Sequence, residues 1–141
     1  MFNKIRTLAL ATIACLLSFG VAAQTPAGWT PVTTDNNMTV MIPAAVLNGS
    51  QIPVGSIIGA FYTLDDGTER CGGAWEFTGT FPISVSVFGD DGLTAIKDGF
   101  TAGEEVIWKL YYNGTEYYGD DVTGVPPAPT NNVTYIVNGL V

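Results

Sequence analysis

Past residue 23 the chain is a succession of short runs rich in Val, Ile, Thr and aromatic residues, each ended by Gly, Pro, Asn or Asp. The runs fall near 38–42, 57–63, 69–78, 83–88, 105–112, 115–120 and 133–138. None repeats its apolar residues at the helical period, and most alternate as half-buried strands do. Pro43, Pro53, Pro82 and Pro126-Pro127-Ala128-Pro129 sit between runs, where a missing backbone donor costs least. Seven or eight short strands in one stretch of this length predict an all-β fold, an antiparallel β-sandwich or jelly-roll-like domain over 24–141. There is room for one domain and not for two, and no internal repeat is visible.

Two turns fix local register. Asn113-Gly114 is the dipeptide favoured by a two-residue type I′ hairpin. It pairs Tyr112 with Thr115, Tyr111 with Glu116, Leu110 with Tyr117 and Lys109 with Tyr118. Alternation then puts Val106, Trp108, Leu110, Tyr112 and Tyr117 on the core face, and Lys109, Tyr111, Glu116 and Tyr118 on a solvated one. Asp66-Gly67 predicts a second hairpin, joining 57–64 to 69–77. In its return strand Cys71, Trp75 and Phe77 share one parity, which is expected inside, and Arg70 and Glu76 the other. Ile83, Val85 and Val87 point in, while Ser84 and Ser86 point out.

Residues 1–23 read as a helical, cleavable export signal. Lys4 and Arg6 precede an apolar run from Leu8 to Val21, and Val21-Ala22-Ala23 offers small residues for cleavage before Gln24. The run is short of the roughly 20 residues a transmembrane helix needs. Ile13-Ala14-Cys15 resembles the end of a lipobox, but Thr12 stands where Leu is expected, and Leu16, Leu17 and Phe19 continue the apolar run. The expected location is secreted, extracellular or cell-surface, with no membrane association after cleavage.

All thirteen acidic residues follow position 23, against only Arg70, Lys97 and Lys109. A net charge of −10 over 24–141 repels phosphate backbones and anionic lipid, which argues against nucleic-acid binding. The chain has no histidine, and Cys71 is the only cysteine after the export segment. Triads and Cys–His pairs built on histidine, and zinc sites of the usual type, are therefore out of reach, as is an intramolecular disulfide. A carboxylate pair would suffice for a glycosidase, but a small sandwich offers little cleft for one. The expectation is a protein that is not an enzyme and needs no cofactor, with calcium as the open alternative.

Calcium enters through three acidic doublets at strand ends, Asp65-Asp66, Asp90-Asp91 and Asp120-Asp121. Asp90, Asp91, Asp98 and Glu104 are the candidate ligands, because calcium takes six to eight oxygens from such loops. The spacing is not that of an EF-hand, and Asp before Gly also serves plain turn chemistry. Carbohydrate binding enters through Trp29, Tyr111 and Tyr118, flat rings bordered by Glu116. Tyrosines on antiparallel strands also pack cross-strand without any ligand. The triplets at Asn37, Asn48, Asn113 and Asn132 fit glycosylation sequons, but Asn-rich turns generate these by chance.

Several segments taken together carry a resemblance. They are Gly28-Trp29, the run Val54 to Tyr62, Cys71-Gly72-Gly73-Ala74-Trp75, Val87-Phe88-Gly89-Asp90-Asp91, Lys97-Asp98-Gly99-Phe100 and the run Gly103 to Lys109. The set resembles a small module found, often repeated, in secreted and cell-surface proteins of Bacteroidota, often upstream of a type IX sorting domain. The resemblance implies an extracellular β-sandwich of adhesive or matrix-like proteins, with no catalytic activity attached. This sequence closes on Asn138-Gly139-Leu140-Val141 without a sorting domain, which suggests a free-standing module. The leading expectation is a structural protein that assembles with copies of itself through edge strands, with Trp29 and Val32 of the 24–34 stretch as pocket fillers. The alternative is a polysaccharide-binding or adhesin module whose partner is a cell-surface polymer.

Overall fold

The computed structural model describes residues 24–119 and 133–140. Residues 1–23, read above as an export signal, lie outside them, as do Asp120-Asp121, the proline run and Asn132. Within them the protein is all-β, with eight strands and no helix: β1 (Asn37–Ile42), β2 (Val46–Leu47), β3 (Ser50–Gln51), β4 (Ile57–Thr63), β5 (Glu69–Glu76), β6 (Ile83–Phe88), β7 (Ile107–Tyr112) and β8 (Thr115–Tyr118). A four-stranded antiparallel sheet in the order β5-β4-β7-β8 faces a two-stranded sheet of β1 and β6, and β2-β3 forms a separate small hairpin. This is a sandwich with unequal layers.

The β7–β8 hairpin has the register set by Asn113-Gly114, from Tyr112 opposite Thr115 to Lys109 opposite Tyr118. Asn113 and Gly114 both have positive φ, as a type I′ turn requires. Asn48-Gly49 carries the same signal and makes the β2–β3 turn, again with both φ positive. In β6 Ile83, Val85 and Val87 are buried and Ser84 and Ser86 exposed, as alternation predicts.

The main core lies between the sheets. Met38, Val40, Val85 and Val87 of the thinner sheet meet Ile58, Ala60, Tyr62 and Trp108 of the thicker one. Phe77, Phe100 and Tyr135 close it from the connecting segments. Tyr62, Phe100 and Tyr135 pack in series, with ring centroids 5.4 and 5.6 Å apart.

A second, smaller core lies on the opposite face of the four-stranded sheet. It comprises Trp29, Ile57, Phe61 and Cys71, with Ala74, Ile107 and Tyr111 packed against it. That face is therefore covered and not solvated as expected. Two expectations for β5 also change. Pairing passes from Ala60–Gly73 to Phe61–Cys71, so Gly72 is an extra residue and a β-bulge reverses the parity. Cys71 is buried, but in the second core, on the face opposite to Phe77. Trp75 is about half exposed because β5 is the outer strand of its sheet.

Segment 133–138 is no strand. It bonds to Glu104 and Val106 at one end and to the outer side of β1 at the other, so each pairing is only an isolated bridge. It thereby straps the two sheets together.

Candidate functional site

The residues singled out from sequence fall in three places. The first is the second core. Pro26-Ala27-Gly28-Trp29 forms a turn closed by Trp29 N–H to Pro26 C=O at 3.1 Å, with Gly28 at φ 81°. Only glycine holds such a φ without strain. The turn drops the indole onto Gly59 of β4. A Cβ built at Gly59 would lie 2.7 Å from the Trp29 ring, so the bare backbone of the central strand is the floor of the socket. Phe61 meets the indole edge-on at 4.9 Å and Tyr111 tilts against it at 5.9 Å. Trp29 is 3 % exposed. Truncating a tryptophan in such a site costs on the order of 3–5 kcal/mol.

This burial bears on the carbohydrate reading. Trp29 has no free face to stack on a sugar, nor is it free to fill a neighbour's pocket while seated in its own. Val32 is half exposed. Glu116 is committed twice, accepting from Trp29 Nε1 at 3.2 Å and from Lys109 Nζ at 2.7 Å. Tyr111 is half-buried, and Tyr118 carries the Lys109 ammonium over its ring at 4.6 Å while donating its hydroxyl to Glu69 at 3.1 Å. The four residues come together, with Trp29 buried, Tyr111 half-buried, and Glu116 and Tyr118 exposed at the rim.

Lys109 is the hub that sequence reasoning missed. Assigned to a solvated face, it is 7 % exposed. Its ammonium bridges Glu69 and Glu116, both at 2.7 Å, and lies 4.5 Å from the centroid of Phe61. Burial alone would push its pKa down, but hydrogen bonds to Glu116 and Glu69 outweigh that and hold it above the ordinary lysine value. Glu69 is held below the usual glutamate range by the hydrogen bond from Lys109, against the effect of burial. Cys71 donates Sγ–H to Trp29 C=O at 3.3 Å, and burial pushes its thiol up to about 11. Such a thiol is unreactive while covered. The usable signal for this second core was β4 itself: Ile57-Ile58 and Phe61-Tyr62 are apolar in both parities, the mark of a strand buried on both faces.

The second place is the loop from Gly89 to Phe100. Carboxylate oxygens of Asp90, Asp91 and Asp98 lie within 4.8 Å of one another. Oxygens on a single calcium at 2.3–2.6 Å are at most about 5 Å apart, so the spacing fits one ion. Asp90 and Asp91 also cap the turn by accepting from Gly92 and Leu93 N–H at 3.4 and 2.9 Å. Asp98 Oδ2 accepts from Thr94 at 3.0 Å, while its Oδ1 is buried without a partner. Glu104 is not in the cluster. It pairs with Lys97 at 2.6 Å and accepts from the Thr63 and Thr101 amides at 3.0 and 2.8 Å. These bonds outweigh its burial and hold its pKa below the usual range.

The third place is the outer edge of β1. Thr39 N–H reaches Gly139 C=O at 3.0 Å and Asn138 N–H reaches Asn37 C=O at 2.8 Å, so residues 138–140 cover the start of this edge. The edge runs on to Met41 and Ile42. Met41 and Leu140 are 51 % and 73 % exposed, with Ile136 and Val137 about half exposed in the strap. Nothing in the sequence alone placed 136–140 beside β1.

No known protein family, characterised protein or solved structure matches the chain, so the reading of its function rests on its own residues.

Proposed function

We propose that this is a secreted, non-enzymatic structural protein that assembles with copies of itself through the outer edge of β1. The observation that carries the reading is that edge, rimmed by exposed Met41, Ile136 and Leu140. The thinner sheet has two strands, and β6 presses against β5, where the Ser86 carbonyl abuts Gly73. That leaves β1 as its outward strand, and an edge with apolar side chains is a template for pairing. The missing histidines, the export signal and the resemblance to surface modules of Bacteroidota point the same way. The burial of Trp29 disfavours the carbohydrate alternative, which is left with Tyr118 as its one exposed ring.

The test is Met41→Lys, a charge placed on the edge with no intramolecular pairing lost, since Met41 points outward. By light scattering and electron microscopy the wild-type chain is expected to form assemblies at high concentration, and the variant to require at least tenfold more protein. A wild-type chain that stays monomeric at high concentration would sink the reading.

Calcium at the 90–98 loop accompanies this proposal, supported by the converging Asp90, Asp91 and Asp98 and the unpartnered Asp98 Oδ1. Backbone carbonyls and water would complete the shell. Millimolar calcium is expected to raise Tm by several degrees over chelator, by ligand linkage, and Asp98→Asn to remove the increment. Identical midpoints in calcium and chelator would dismiss the ion.

A further inference from the structure

We infer that the Trp29 arm is an exchangeable plug: residues 24–30 of one copy seat in the Gly59–Phe61–Tyr111 socket of another. This rests on the self-assembly reading and adds a second contact between copies to the edge of β1.

The arm is built for release. Among the described residues, its bonds to the rest of the protein all run through Trp29: the indole N–H to Glu116 and the backbone carbonyl from Cys71. The Trp29 N–H bond to Pro26 is internal to the arm. The next anchor is Thr34, whose hydroxyl donates to Gly89 C=O at 2.6 Å. Between them, Thr30-Pro31-Val32-Thr33 makes no hydrogen bond to the body, and Thr30, Val32 and Thr33 are exposed. Four linker residues span at most about 14 Å when extended.

The socket, by contrast, belongs wholly to the four-stranded sheet. Gly59 and Phe61 come from β4, Cys71 from β5, Tyr111 from β7 and Glu116 from β8. It is complete without its own arm. A neighbour's arm makes the same contacts, so the home and exchanged pairings differ only in linker strain and effective concentration. Exchange between copies is a heterologous contact, which closes into a ring or continues as a filament.

Cys71 supplies the reporter. Its thiol lies beneath the Trp29 carbonyl and is buried while the arm is home. Trp29→Ala is expected to raise its labelling by a maleimide at least tenfold, located at Cys71 by peptide mass mapping. An unchanged rate would mean that the indole does not cover the thiol, and would overturn the plug.

Exchange itself is read by placing p-benzoylphenylalanine at position 29, mixing isotopically heavy and light chains, and illuminating. The same probe in place of Tyr111, a half-buried rim position, reads the contact from the socket side with Trp29 intact. The expected result is heavy–light cross-links between position 29 and the socket, rising with protein concentration. Cross-links of this kind in closed dimers alone would keep the plug and remove the fibre. Assemblies with only intrachain cross-links would overturn the plug and leave edge assembly standing. Monomers with only intrachain cross-links would overturn both.

Discussion

Gly73→Ala is expected to destabilise the protein by about 3 kcal/mol, the upper end of what overpacking a well-filled site costs. A Cβ at Gly73 would run into the Ser86 carbonyl oxygen, with Val87 Cα also in close contact. Both obstacles are backbone of β6, and no rotamer change relieves them. The two sheets would have to part along the β5–β6 seam, loosening Val85 and Val87, which are fully buried. Urea unfolding measures this, with the midpoint falling and the slope kept. Gly67→Ala is the contrast, because a Cβ there meets nothing and only the φ of 83° is strained. If Gly73→Ala were as stable as the wild type, the seam would not be close-packed.

Lys109→Met is the second large effect, expected at about 2–3 kcal/mol. A fully buried pair broken on one side costs about 3–5 kcal/mol. Here the partners Glu69 and Glu116 are 28 % and 38 % exposed, and water compensates part of the loss. Methionine keeps an unbranched side chain but removes the ammonium over Phe61 and Tyr118 and leaves Glu69 and Glu116 without their shared cation. Adding Glu69→Gln and Glu116→Gln to Lys109→Met is expected to recover most of the loss, which a purely steric defect would not allow. The difference also has a pH signature. Glu69 has a lowered pKa in the folded chain, so its share of the stability is complete above the ordinary glutamate value, ~4.3. That share is lost as pH falls through the lowered value. The gap between wild type and Lys109→Met should therefore narrow on acidification through that window, and denaturant midpoints at stepped pH would register it. A gap independent of pH would remove Glu69 from the account.

The network around Lys109 ties stability to the arm. Glu116 touches both Lys109 and the Trp29 indole, so a charge placed to hold two strands together also latches the N-terminal turn. Function on this reading lies in surfaces: the edge of β1 and the socket beneath Trp29. The acidic 90–98 loop is tied by Asp90 C=O to Asn36, the residue before β1, at 3.0 Å.

Local chemistry made part of this legible. Asn113-Gly114 admits one tight turn, and with it the pairing of Lys109 through Tyr118 follows residue by residue. Ser84 and Ser86 between Ile83, Val85 and Val87 leave no doubt about which side of β6 is wet. Asp90-Asp91 and Asp98 are close enough in sequence for one loop to gather them, as it does. Glu104 has the same charge, but Lys97 and two amides compete for it more strongly.

The sequence by itself determined that the regular structure of the described residues is all β, where the Asp66-Gly67 and Asn113-Gly114 hairpins turn, and which residues alternate inward on β6. Those are short-range matters, decided by φ at a turn and by the period of a strand. Only the tertiary structure decided that the four-stranded sheet is covered on both faces. A single inserted residue, Gly72, moves Cys71 to the far face, and a single distant residue, Trp29, covers it. Neither the bulge nor the return of the arm is encoded in the alternation of any one strand. Each depends on which segments meet across the fold, and that turns Lys109 from an expected surface charge into a buried hub.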